Sequence, residues 1–270
     1  MITDTNLQSN AMSNTKKSRD LATHFLNISI DDLKASDILY KNGHYPQAIF
    51  YLQQATEKLI KSYGYGFDII TDDKDSIHKT YSRAIYHGSW SIYSTALQHC
   101  NMLDSQIKRK IILDSPVLEY LFKEFKLGRR NFKNLNHFLS DRNKIKGIHW
   151  PDEIVSETLK QHYFIKQDIL GMINDIKWND NDNLLSKIFK GAGIAMSVIG
   201  VGFQLYYLFP LFSIDISIIL FKHSEISRYG IESHPIKLPN EIYTREHILI
   251  KEFNKIYAII DNVQKIYLKL

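Results

Sequence analysis

Arg142, Asn143 and His149 are the residues of this 270-residue chain whose types and spacing suit a reaction. They lie in Asp141-Arg142-Asn143-Lys144-Ile145-Lys146-Gly147-Ile148-His149, with the Arg seven positions before the His. A guanidinium offers a planar fork to phosphate oxygens. An imidazole titrates near neutrality and can take or give a proton. Pro151-Asp152-Glu153 follows at once and reads as the start of a helix, whose N-terminus favours an anion. Together these groups suit phosphodiester chemistry. On spacing alone, an Arg and a His seven apart are equally compatible with an ordinary basic surface.

Other signatures are absent from the sequence. There is no Walker-type loop, and Gly191-Ala192-Gly193 fails the dinucleotide pattern because Met196 stands at the third glycine position. With one cysteine, Cys100, and no His-Glu-x-x-His, neither a structural nor a protease-type zinc site is expected, and no cofactor is implied. His223, His234 and His247 are scattered and read as surface or hydrogen-bonded histidines. One cysteine permits no internal disulfide, so a reducing, cytoplasmic setting is the expectation.

The composition is that of a folded chain: 44% hydrophobic and 23% charged, with 12 Gly and 6 Pro, which excludes disordered, collagen-like and linker proteins. The net charge of +5 is concentrated. Residues 105–150 hold eleven Lys and Arg against four acids, so the rest of the chain is slightly acidic. Such a stretch is the electrostatic footprint of a phosphate-bearing partner or, equally, a solvated helix face. Arg129, Arg130, Lys133, Lys144 and Lys146 are the candidate phosphate- or RNA-binding residues.

The elements that must position these groups read as mainly α. Residues 1–27 look like a flexible polar tail, in which Ser9-Asn10-Ala11 resembles a cloning remnant (1–11) ahead of a natural start at Met12. Asp31-Asp32 open a helix that Gly43 closes. Pro46 suits the first turn of a second helix, along which Ala48, Leu52, Ala55 and Leu59, widened by Ile49 and Ile60, form one buried stripe. Shorter helices broken near Gly88, Pro116 and Gly128 follow, and a further helix begins after Pro151. The polar run Asn179–Asn183 marks a boundary between residues 28–178 and a C-terminal region, 179–270.

Gly191–Ile214 is 24 residues without a charged or His residue. As a helix of about 36 Å, at roughly 1.5 Å per residue, it could cross a membrane, but Gln204 and Pro210 resist that reading. An apolar helix over about 190–209 is expected, with a membrane span through 191–210 and a soluble core helix both open. Phe212, Ile214, Ile216 and Ile218 alternate with polar residues, which predicts a half-buried strand over 212–221 and one or two strands in all through Pro239. Leu249, Phe253, Ile256, Ile260, Val263, Tyr267 and Leu270 repeat at 4, 3, 4, 3, 4, 3. This predicts a long amphipathic helix over about 241–270, facing either a partner helix or its own chain.

The segment Asp32–Lys61, with its core Gln53-Gln54-Ala55-Thr56-Glu57-Lys58-Leu59, resembles the first helical hairpin of the HEPN (higher eukaryotes and prokaryotes nucleotide-binding) family. His78 matches the family's histidine opening its third helix, and Trp150-Pro151-Asp152-Glu153 the aromatic-Pro-Asp element before its last. The resemblance runs from about Ile28 to Trp178, with an insertion through roughly 85–135. It implies an up-and-down helical bundle that forms a homodimer. Many members are metal-independent ribonucleases with Arg-x(4–6)-His, which Arg142, Asn143 and His149 match. The roles implied are His149 as acid or base at the ribose 2′-hydroxyl, Arg142 on the transition state and Asn143 orienting the phosphate. The motifs of two protomers would face one cleft, in a toxin or defence protein. The alternative implied is a non-catalytic nucleotide-binding or adaptor module, working with a nucleotidyltransferase-type partner. In many such members Arg-Tyr-Pro-Asp stands where His149-Trp150-Pro151-Asp152 stands here.

Overall fold

A computed structural model describes residues 4–66, 115–127, 138, 144, 147–162, 215–231 and 236–268. These are mostly helical. In chain order the helices are α1 (Asp4–Lys41), α2 (Tyr45–Gly66), α3 (Pro116–Glu124), α4 (152–162), α5 (215–221), α6 (His223–Tyr229), α7 (Pro239–Ile242), α8 (Ile248–Lys251) and α9 (Phe253–Tyr267).

The turn between α1 and α2 follows from its residues. The His44 N–H reaches the Leu39 carbonyl at 2.9 Å and the Gly43 N–H reaches that of Tyr40 at 3.0 Å, the paired bonds of a Schellman ending. That ending needs a left-handed residue, and Gly43 supplies it at φ +77°. A turn this short makes α1 and α2 an antiparallel hairpin, and the predicted α2 stripe is buried in it: Ala48, Ile49, Leu52, Ala55, Leu59 and Ile60.

The seam on α1 is built from small residues. Ser18, Ala22, Leu26, Ser29, Leu33 and Ser36 are buried along one face. Ser29 Oγ donates to the Ala55 carbonyl at 2.6 Å, and Ser62 Oγ donates to the Ala22 carbonyl at 2.7 Å. The two contacts lie seven residues apart on each helix, so one register holds along the hairpin. The tail expected through residue 27 is corrected here: α1 starts at Asp4, and Ala22 and Leu26 lie in the interface with α2. A serine and alanine seam buries too little apolar area to show in a hydrophobic periodicity.

Helix α9 lies against both strokes of the hairpin. Phe253 stacks on Tyr40 at a 4.0 Å centroid distance, and Gln264 donates to Ser29 Oγ at 2.8 Å. Eleven residues separate the partners on each helix, so α9 runs antiparallel to α1. At its end the Tyr267 hydroxyl donates to the Ser62 carbonyl at 3.1 Å. Gly66 leaves the room for that hydroxyl, which lies 1.9 Å from where a Cβ at residue 66 would be. The predicted terminal stripe is thus used within the chain, with Leu249, Phe253, Ile256, Ile260 and Val263 in the same core as α2.

The strand expected over 212–221 is also corrected: residues 215–221 are helical. Ile216, Ile218, Ile219, Leu220 and Phe221 are buried, and so are Asp215 and Ser217. With both faces covered, the alternation of Ser and Ile marks no solvent side. Among the described residues, extended pairing is limited to one antiparallel bridge, Ile231 with Lys237. The apolar segment 190–209 lies outside the described residues. Among those described, no helix is long and apolar enough to cross a membrane.

Candidate functional site

Residues 148–150 lead into α4 with side chains alternately inward and outward. Ile148 and Trp150 are buried, and His149 between them is exposed. Trp150 is covered by Tyr120 of α3, with ring centroids 5.5 Å apart, and the Tyr120 hydroxyl donates to the His149 carbonyl at 3.4 Å. After Pro151 the chain turns into α4, and the Pro151 carbonyl accepts the Ile154 N–H at 3.0 Å. The local sequence therefore anchors both neighbours of His149 and presents its imidazole to solvent at a helix N-terminus, beside the exposed Asp152.

Of the other predicted site residues, Lys144 is exposed on a helical turn. Arg142, Asn143, Arg129, Arg130, Lys133 and Lys146 lie outside the described residues, as does His78.

Groups from the C-terminal region assemble around His149. Lys222, at the junction of α5 and α6, donates from Nζ to the Ile148 carbonyl at 2.9 Å. It is half-buried, and burial lowers its pKa from the usual lysine value. His223 beside it is buried, with Nδ1 2.6 Å from the Tyr243 hydroxyl. Burial first, then Lys222 and His247, hold the His223 pKa well below the ordinary histidine value. Burial thus favours the neutral ring, and with a neutral Nδ1 as acceptor the Tyr243 phenol, whose own pKa burial raises, is the donor of this bond.

His247 meets the His223 ring edge-on at 5.6 Å. Its Nδ1 accepts the Leu249 N–H at 3.2 Å and caps α8, which leaves Nε2 as the protonated nitrogen of the neutral ring. Burial is the main reason its pKa falls to about 4. Asp152 opposes that shift, while Lys222 and His149 add to it. The result is one face with an exposed imidazole, a desolvated ammonium and a neutral imidazole N–H donor. His223 and His247 are scattered in the sequence and Lys222 stands in no motif, because these residues reach His149 only through tertiary folding.

A second polar cluster lies in the interior. Asp215 accepts from Ser115 Oγ at 2.8 Å and lies 3.0 Å from His162 Nε2. All three are at most 2% exposed. The carboxylate stands between the serine and the histidine, so the imidazole has no contact through which to activate the hydroxyl. Ser115 also accepts the Leu118 N–H as the N-cap of α3. The cluster joins α3, α4 and α5. Among the described residues, no group of three His, Cys, Asp or Glu residues could hold a metal ion.

Compared with known families, residues 22–87 match the HEPN domain. The match takes in the second half of α1 and all of α2, the hairpin whose register is set by Ser29 and Ser62. Searches of curated proteins and of solved structures returned no match. The chain therefore carries a HEPN segment at 22–87.

Proposed function

We propose that this HEPN-domain protein is a metal-independent endoribonuclease that uses Arg142, Asn143 and His149, acts as a homodimer, and serves as a toxin or defence effector. The observation that supports this reading is the presentation of His149. Its flanking residues are anchored, its ring is exposed, and a helix N-terminus and an ammonium lie beside it. In the reaction His149 takes the proton of a ribose 2′-hydroxyl, and the oxygen attacks the adjacent phosphorus. The 5′-oxygen leaves with a proton returned by the protonated His149, giving a 2′,3′-cyclic phosphate and a 5′-hydroxyl end and restoring the neutral imidazole. Arg142 holds the non-bridging oxygens as charge builds on them, the contribution expected to matter most. Arg129, Arg130, Lys133, Lys144 and Lys146 would bind flanking phosphates.

The test is cleavage of RNA by purified protein in the presence of chelator. Arg142→Ala and His149→Ala should each lower the rate by at least about a hundredfold. Equal activity in wild type and both variants would assign the cleavage to a contaminant and end this reading.

A second reading is a non-catalytic nucleotide-binding or adaptor module, with a nucleotidyltransferase-type partner or attached to a membrane through 191–210. It is favoured by how fully Trp150 and Ile148 are used to close the start of α4, a purely architectural task. Nucleotide-dependent thermal stabilisation without RNA cleavage would select it.

A further inference from the structure

Lys222 has an unusual environment for a lysine. It is half-buried, the one side-chain hydrogen bond it makes among the described residues goes to the Ile148 carbonyl, and no ion pair among them uses it. An ammonium has three donors, and taking it out of water without an anion beside it is costly. Asp152, the exposed acid at the start of α4, acts on His247 and partly offsets the effect of its burial. The ammonium is bonded one residue from the exposed His149, and the half-buried His247, 5.6 Å from His223, feels the charge of both Lys222 and His149. The Nδ1 of His247 is occupied by the Leu249 N–H, so its Nε2–H is left to donate. His223, the buried imidazole next to Lys222, is turned to Tyr243 at 2.6 Å.

We infer that Lys222, His247 and His149 form an anion-binding site for the phosphate group of a nucleotide or of an RNA strand. Lys222 supplies a charge that no ion pair among the described residues uses, His247 a neutral N–H donor, and His149 the group at the solvent edge. The inference rests on the reading of His149 as facing nucleic acid. It adds that the C-terminal region, outside the matched family segment, contributes the phosphate-holding residues.

The experiment follows the histidine ring resonances of the full-length protein by NMR. Inorganic phosphate is the first probe, then adenosine 3′-monophosphate, then a short RNA that carries a non-cleavable 2′-deoxy nucleotide at each site. The His149 and His247 signals should move together and saturate with each probe. The RNA should bind more tightly than phosphate if the strand is the natural source, and no more tightly than the mononucleotide if a free nucleotide is. Lys222→Met should weaken binding at least about tenfold, the loss expected for one charge-assisted hydrogen bond, while Lys222→Arg retains it. If Lys222→Met does not fold, His247→Asn, which keeps the α8 cap, should weaken phosphate binding severalfold. Unmoved histidine signals, or equal binding by the substituted proteins, would overturn the site. Phosphate binding without RNA cleavage would defeat only the ribonuclease reading, whereas full cleavage without phosphate-dependent shifts would defeat only this one.

Discussion

Ser29 Oγ donates to the Ala55 carbonyl at 2.6 Å and at the same time accepts from Gln264, so one hydroxyl joins α1, α2 and α9. Ser29 is fully buried and sits where the HEPN segment meets the terminal helix. Ser29→Ala removes both bonds and leaves the Gln264 amide buried without its acceptor. The expected loss is about 1–3 kcal/mol, read as a shift in the urea midpoint at unchanged slope. Ser29→Leu should cost more, because the close approach of α1 to α2 has no room for a branched side chain.

How much of this was legible depends on what each helix uses as its contact face. The α2 stripe and the terminal heptads are apolar and periodic, and the residues the periodicity names from Ala48 to Ile60 and from Leu249 to Val263 are buried. The contact face of α1 is Ser18, Ala22, Ser29 and Ser36 interrupted by two leucines, so hydropathy misses its first half. Helix α5 misled in the opposite sense, since Asp215 and Ser217 are buried and the polar positions of its pattern face the interior. At the site, His149 was legible by residue type and by its place before Pro151. Lys222 and His247 were not, because 73 and 98 residues separate them from His149 and no local pattern spans that distance.

The stacking of Phe253 on Tyr40 fixes the start of α9 against the hairpin. Phe253 is fully buried, so Phe253→Ala leaves a cavity in the shared core and should cost about 3–5 kcal/mol. If α9 instead served a partner chain, the substitution would weaken association and spare the monomer. Thermal unfolding measured across a range of protein concentrations separates these outcomes.

Two left-handed glycines should respond differently to the same substitution. Gly43 and Gly230 both have φ +77°. A Cβ at residue 43 meets nothing within 4 Å, whereas one at residue 230 would lie 2.1 Å from the Lys237 carbonyl oxygen. Gly43→Ala should therefore cost only the conformational strain, about 1–2 kcal/mol. Gly230→Ala adds a backbone clash that breaks the Ile231–Lys237 bridge, so its urea midpoint should fall further.

Acid should weaken the fold through the buried His223 and the half-buried His247. His223 and His247 have folded pKa values below 6.5, the latter at about 4, so between those values the unfolded chain binds more protons than the folded one. Stability from these groups is fully present above about pH 6.5 and is lost as pH falls toward 4. His247→Asn keeps an N-cap for α8 and removes one titrating group. The slope of unfolding free energy against pH should shrink in that window, with stability near pH 7 little changed. An unaltered slope would show that His247 titrates normally in the folded protein.

Ser115, Asp215 and His162 share the residue types of a hydrolytic triad but not its order. In a working triad the imidazole lies between hydroxyl and carboxylate. Here Asp215 lies between the other two, Ser115 is occupied as the cap of α3, and all three are sealed from solvent. A fluorophosphonate probe should therefore leave Ser115 unlabelled in the folded protein. Asp215→Ala should instead destabilise it by about 3 kcal/mol or more, since two hydrogen bonds to one carboxylate are lost at once. Labelling of Ser115 at a rate that Asp215→Ala abolishes without unfolding would reverse this assignment and make the cluster a reactive centre.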